Sequence, residues 1–171
     1  RSLTDSDLGW FDVHRPFTAS KQRAIQINSE IARLLLSTEL FDAGGRELRC
    51  ICTFQGLSDD NSRHFGKVGK NWRLGGNKLD GAVFSAVNSK DFLLIKGITG
   101  NDGSQPLYLS FVTRQNNPIE QAKIARMLES DLKRSMAAFS PGTEGFELLA
   151  GFFPAVATKT SKKPIKTPNP V

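Results

Sequence analysis

A chain of 171 residues is long enough to bury one sizeable core and short for two ordinary domains. Its hydrophobic share of 39% and charged share of 23% sit near globular averages, which argues against disorder as the default. The longest apolar runs, Phe92 to Ile95 and Leu148 to Phe153, are far too short to span a bilayer, and Arg1 to Trp10 lacks the basic-then-apolar order of a secretory signal. The expectation is a cytoplasmic protein with no membrane partner.

The formal charge of +6 is less informative than it looks. Lys159, Lys162, Lys163 and Lys166 lie in an acid-free tail, and without these four the count is 19 basic against 17 acidic residues. From Thr158 onward the run TKTSKKPIKTPNPV has almost nothing to bury and reads as an extended linker. The expected division is a folded domain over 1–157 and a Lys/Pro-rich tail over 158–171. A tail of this kind, on a chain that opens without Met, suggests a piece of something longer.

In chain order, Arg23 to Ile27 alternates like a half-buried strand, and Asn28 or Ser29 can cap a short helix through Ile31, Leu34 and Leu35. Glu47 to Phe54 alternates again, with Leu48, Cys50, Cys52 and Phe54 on one face. The two cysteines are therefore expected as buried thiols. A metal site would need more ligands than His14 and His64 supply. Further strands are expected over Gly81 to Val87, Asp91 to Ile98 and Leu107 to Thr113, separated by turn-rich segments.

Asn117-Pro118-Ile119-Glu120 offers a cap, a proline at the first helical position and a capping-box acid. Ile124, Leu128, Leu132 and Met136 follow at four-residue spacing until Ser140-Pro141-Gly142 stops the helix. Phe146 to Val156 reads as one or two closing strands. The pattern predicts a mainly β domain of the α+β class with two helices.

Catalytic constellations are not found. Asp131-Leu132-Lys133 mimics a nuclease triplet, but mid-helix its members point to nearly opposite sides. Gly66-Lys67-Val68-Gly69-Lys70 lacks the phosphate-loop spacing. Asp59-Asp60 reads as a solvated turn. The chain itself is expected to be no enzyme and to need no cofactor.

Two acid-free basic segments stand out instead. One is His14 to Arg23, with Gln26 shortly after; the other is Arg63 to Arg73. Both mix Arg and Lys with Gln or Asn, the types that hold phosphates and read guanine and adenine edges in duplex DNA. The candidate DNA contacts are Lys21, Gln22, Arg23 and Gln26 in the first, and Arg63, His64, Lys67, Lys70, Asn71, Trp72 and Arg73 in the second. Phe65 reads as core. Trp72 reads either as a base-stacking platform or as an anchor holding a long loop against the body. Two other readings stay open: a reader of modified or single-stranded nucleic acid, and an interaction module whose basic loops are merely solvated.

The run Asn61-Ser-Arg-His-Phe-Gly-Lys67, with a cationic stretch ending at Arg73, resembles the second DNA-binding arm of the N-terminal effector domain of EcoRII-type restriction endonucleases. Lys21 to Ile27 and the helix after it resemble that family's first arm, and the Asn117 helix and Ser140 to Gly151 resemble its end. The resemblance covers roughly residues 14 to 155. It implies a seven-stranded open pseudobarrel of the plant B-three type with two helices, whose two arms grip the major groove. It also implies sequence-specific binding of double-stranded DNA at a short CCWGG-like site, within a prokaryotic restriction-modification system. A separate nuclease domain would follow the tail, and Mg2+ would belong to that domain. Arm residues carry over to Gln22, Arg63, Lys67 and Arg73. Lys21 and Gln26 stand where the family has a His and a Tyr, and Gly69, Asn71 and Trp72 where it has an Arg, a Glu and a Lys, so the mode of binding carries over more directly than the exact target bases.

Overall fold

Asn28 ends the first strand and opens the first helix. Its backbone is extended (φ −73°, ψ 159°) and its side-chain oxygen accepts the N–H of Ile31 at 2.8 Å, satisfying a donor that a helix start leaves unpaired. Strand β1 (Ala24–Ile27) precedes it, with Ile25 and Ile27 buried, and helix α1 (Ser29–Leu35) follows. Ser37 caps a second helix, α2 (Thr38–Asp42), in the same way. The computed structural model describes residues 1–4, 7, 24–54, 57–76, 87–97, 106–129 and 135–153.

The rest of the described chain supplies β2 (Gly45–Phe54), β3 (Leu57–Val68), β4 (Asn71–Gly76), β5 (Phe92–Gly97), β6 (Leu107–Val112), α3 (Pro118–Glu129) and α4 (Glu144–Ala150). The six strands form one curled sheet in the order β1-β4-β3-β2-β6-β5. All neighbours are antiparallel except β2 and β6, which run parallel with Cys50 opposite Leu107. The fold is mainly β, of the α+β class, with six strands and four helices among the described residues.

Alternation decides which side chains enter the core. On β2, Leu48, Cys50, Cys52 and Phe54 are buried, and they join Ile25, Ile27, Phe65, Trp72, Leu74, Leu93, Leu109 and Phe111 in the main core under α1 and α2. Both cysteines are fully buried there. The opposite face of β5 and β6 carries Phe92, Leu94 and Val112. Ile124 of α3, with Leu148 and Leu149 of α4, covers them in a second, smaller core. Strand β5 is therefore buried on both faces, which accounts for its unbroken apolar run.

Four expectations need correction. Phe146 does not start a closing strand; it lies in α4, where Thr143 caps by accepting the N–H of Phe146 at 3.3 Å and Glu144 and Glu147 sit in the first turn. A seven-residue helix is too short for its period to stand out. The Asn117 helix is described only to Glu129, and Met136 lies beyond it in irregular chain, packed on the main core. Asp59 and Asp60 belong to strand β3 and not to a turn. The segment Arg63 to Arg73 is not a loop but most of the β3–β4 hairpin. Leu132 and the Asp131–Lys133 triplet, residues 81–86 of the expected strand, and the tail over 158–171 lie outside the described residues.

Candidate nucleic-acid interface

Strands β3 and β4 turn through Gly69 and Lys70, with Val68 opposite Asn71. Gly69 has φ +62°, the left-handed value that the first central position of a two-residue hairpin of this type demands. Two bonds tie the hairpin end to the body. The hydroxyl of Ser29, at the start of α1, donates to the Lys70 carbonyl at 3.4 Å, and the Lys67 N–H donates to the Gly44 carbonyl at 3.0 Å.

The register sorts the basic segment onto two faces. Facing inward, Arg63 lies opposite Leu48, Phe65 opposite Leu74, and Trp72 opposite Ile27. All three of Arg63, Phe65 and Trp72 are 0% exposed. Trp72 stacks on Phe41 of α2 and meets Phe65 at a tilt, with ring centroids 4.9 and 5.5 Å away. Phe65 is core, as expected. Arg63 and Trp72, expected as DNA contacts, are placed where no groove reaches them, because they share strand parity with Phe65 and Leu74.

Facing outward are His64, Gly66 and Val68 of β3 and Asn71, Arg73 and Gly75 of β4. Strand β1 adds Gln26 beside Arg73, its direct cross-strand partner, and Ala24 beside Gly75. Directly opposite residues in a sheet have Cβ atoms roughly 4.5–5.5 Å apart. Gln26 and Arg73 thus form one patch although 47 positions separate them in the sequence. Lys67 and Lys70 are exposed at the hairpin end, and Arg46 is exposed at the start of β2. Lys21, Gln22 and Arg23 lie outside the described residues.

Farther along the same face the charges are paired. Glu47 accepts from the Ser62 hydroxyl at 3.1 Å, and its other oxygen lies 3.5 Å from His64 Nδ1. Arg49 donates to both oxygens of Asp60 at 2.9 and 2.5 Å. That bidentate bond holds the Asp60 carboxyl below its ordinary pKa of 3.8 and raises the Arg49 guanidinium. The His64 ring folds over Gly66, where a Cβ would come within 2.2 Å of Nε2. Toward the hairpin end the outer face thus carries Asn71, Arg73 and Gln26, with Lys70 at the turn, while the exposed Lys67 and Arg46 share the strand parity of Phe65 and Leu48; the Arg49–Asp60 ion pair lies farther along the outer face.

Val68 is an outward-facing residue that the sequence reading missed. A signal for it was present: Gly-Lys at the turn, flanked by Arg63/Phe65 and Trp72/Leu74 at a two-residue period, marks a hairpin and fixes the parity of Val68. Among the described residues no three His, Cys, Asp or Glu side chains stand together as metal ligands, and no helix is long and apolar enough to cross a membrane. Comparison with protein-family models, with curated proteins and with solved structures found no match.

Proposed function

We propose that this chain binds double-stranded DNA and reads a short sequence in the major groove with the outer face of β1, β4 and β3. The observation that carries the proposal is the register of Gln26 against Arg73. It sets a residue type that pairs with adenine beside one that pairs with guanine, with Asn71 two residues away on the same face. Lys70 at the turn flanks them as a phosphate anchor, and Lys67, exposed at the hairpin end on the parity of Trp72, would reach a phosphate around the edge of the ribbon. A major groove admits a two-stranded ribbon, the part played by β3 and β4, with Gln26 of β1 reaching in beside Arg73.

The resemblance to EcoRII-type effector domains extends the proposal. The sheet would close into a seven-stranded pseudobarrel, Lys21, Gln22 and Arg23 would form a second arm continuing from β1, and the target would be a short CCWGG-like site. The chain would act as the target-recognition domain of a restriction endonuclease whose Mg2+-dependent nuclease domain follows in the same polypeptide. Arg63 and Trp72 take no part in this version as contacts; they hold the hairpin on its core. The alternative in which unstacked bases lie on Trp72 has no platform to use, since that ring is fully buried.

Selection of random duplexes on the chain, followed by titration across salt, tests the proposal. A recovered consensus and a log affinity that falls linearly with log salt are expected. Arg73→Ala should lose about 1–3 kcal/mol of preference for the consensus while keeping weak, salt-sensitive binding. A consensus bound equally well by that variant would remove Arg73 from the readout, and the absence of any duplex binding at low salt would sink the proposal.

A further inference from the structure

Val68 is 47% exposed at the end of the hairpin, between Lys67 and the Gly69–Lys70 turn and opposite Asn71. A lone exposed aliphatic residue is ordinary. Its company is what matters here. The two other large hydrophobic residues exposed among those described, Leu34 and Ile119, stand on helices, and Leu34 lines an apolar cavity against β5. Val68 alone shares the outer face of the hairpin with Asn71, Arg73, His64 and, one strand further, Gln26. Gly66, its outward neighbour along β3, has no side chain of its own and lies under the His64 ring, so Val68 is the aliphatic group of that strand face.

Base edges in the major groove offer donors and acceptors and one apolar group, the methyl on C5 of thymine. A methyl at C5 of cytosine occupies the corresponding place. A branched aliphatic side chain cannot pair with a donor or an acceptor, and burying it against one would leave that polar group unsatisfied. Against a C5 methyl it buries apolar surface on both sides. Resting on the DNA-binding reading above, we infer that Val68 reads the C5-methyl group of a pyrimidine in the target. Val68 and Arg73 belong to adjacent outward rows of the ribbon, roughly 6.8 Å apart along it. With a rise of about 3.4 Å per base pair, the methyl-bearing pyrimidine lies about two steps from the guanine bound by Arg73.

The test uses the 171-residue chain and the duplexes recovered by selection. Each thymine is replaced in turn by deoxyuridine, which lacks only the methyl, and each cytosine by 5-methylcytosine. One position is expected to respond: deoxyuridine there weakens binding about fourfold if the target carries thymine, or 5-methylcytosine strengthens it about fourfold if the target carries cytosine. The direction of the response tells the two sources of the methyl apart. In Val68→Ala that response disappears, while the responses to changes at the guanine bound by Arg73 stay as in the parent. Equal binding of methylated and unmethylated versions at every position overturns the inference and leaves DNA binding standing. So does an undiminished methyl response in Val68→Ala. Failure of the parent to bind any duplex overturns both.

Discussion

Trp72 stacks on Phe41 with ring centroids 4.9 Å apart and planes 24° from parallel, so the hairpin that carries the exposed cations is pinned to α2 by an aromatic pair. The Arg33 guanidinium lies over the same Phe41 ring, 4.3 Å from its centroid. The consequence is a division of labour within β4, where one residue anchors and the next one projects.

Trp72→Ala should therefore cost stability before it costs recognition. Removing a fully buried indole leaves a large cavity, and a loss of about 3–5 kcal/mol is expected in denaturant unfolding. Trp72→Phe keeps much of the contact with Phe41 and Phe65 and should fold with a smaller loss. Duplex affinity of the folded Phe variant should match the parent. A folded Phe variant that loses target preference would mean that the indole touches DNA after all.

Arg63 makes the same point with a charged residue. It is fully buried opposite Leu48, so its truncation removes packed methylenes as well as a guanidinium. Arg63→Ala is expected to lower unfolding free energy by about 2–4 kcal/mol. Thermal melts and duplex titrations on the same preparations check this: the melt should move, and the base preference of the protein that remains folded should not.

Much of the sheet was legible because its inward residues are apolar and alternate. Glu47 to Phe54 announces its inward face by alternation, the apolar runs Phe92 to Ile95 and Leu107 to Val112 announce buried strands, and Asn28 and Asn117-Pro118 announce helix starts. The β3–β4 hairpin was harder. Its residues are poor strand formers, and the buried partner of Leu48 is an arginine, which no hydrophobicity pattern assigns to a core. Reading Arg63 as polar broke the alternation that continues through Phe65. Once parity is restored, Arg63 and Trp72 turn inward while His64, Val68, Asn71 and Arg73 turn outward. The neighbourhood of Gln26 and Arg73 was beyond reach, because strand order is set by long-range pairing that sequence spacing does not encode.

If the chain binds duplex DNA as proposed, Lys67 and Lys70 should separate affinity from specificity. Neither is placed to donate to a base in register with Arg73, and each is expected to neutralise one phosphate. Lys67→Ala and Lys70→Ala should each flatten the slope of log affinity against log salt by about one and weaken all duplexes to a similar extent. Titrations of consensus and scrambled duplexes at several salt concentrations measure both quantities. A changed consensus in either variant would assign that lysine to base reading instead.

The bidentate bond from Arg49 to Asp60 joins β2 to β3 on the outer face, and its pH dependence has a definite sign. The hydrogen bonds depress the carboxyl pKa in the folded chain below the ordinary value of 3.8, so folding favours the ionised form. The resulting stabilisation is present above that ordinary value and is lost as the pH falls through the lower, folded value. Both side chains are largely exposed, at 65% and 45%, so salt screens the pair and its contribution is small. Asp60→Asn should thus unfold at a slightly lower urea concentration than the parent at pH 7. That difference should shrink in 1 M salt and vanish well below the carboxylate range, where the parent has also lost the charge. A difference that persists in acid would assign the effect to packing along β3 and not to the ion pair. In duplex binding the same variant carries one negative charge fewer on the outer face, so nonspecific affinity at low salt should rise if phosphates approach that part of the sheet.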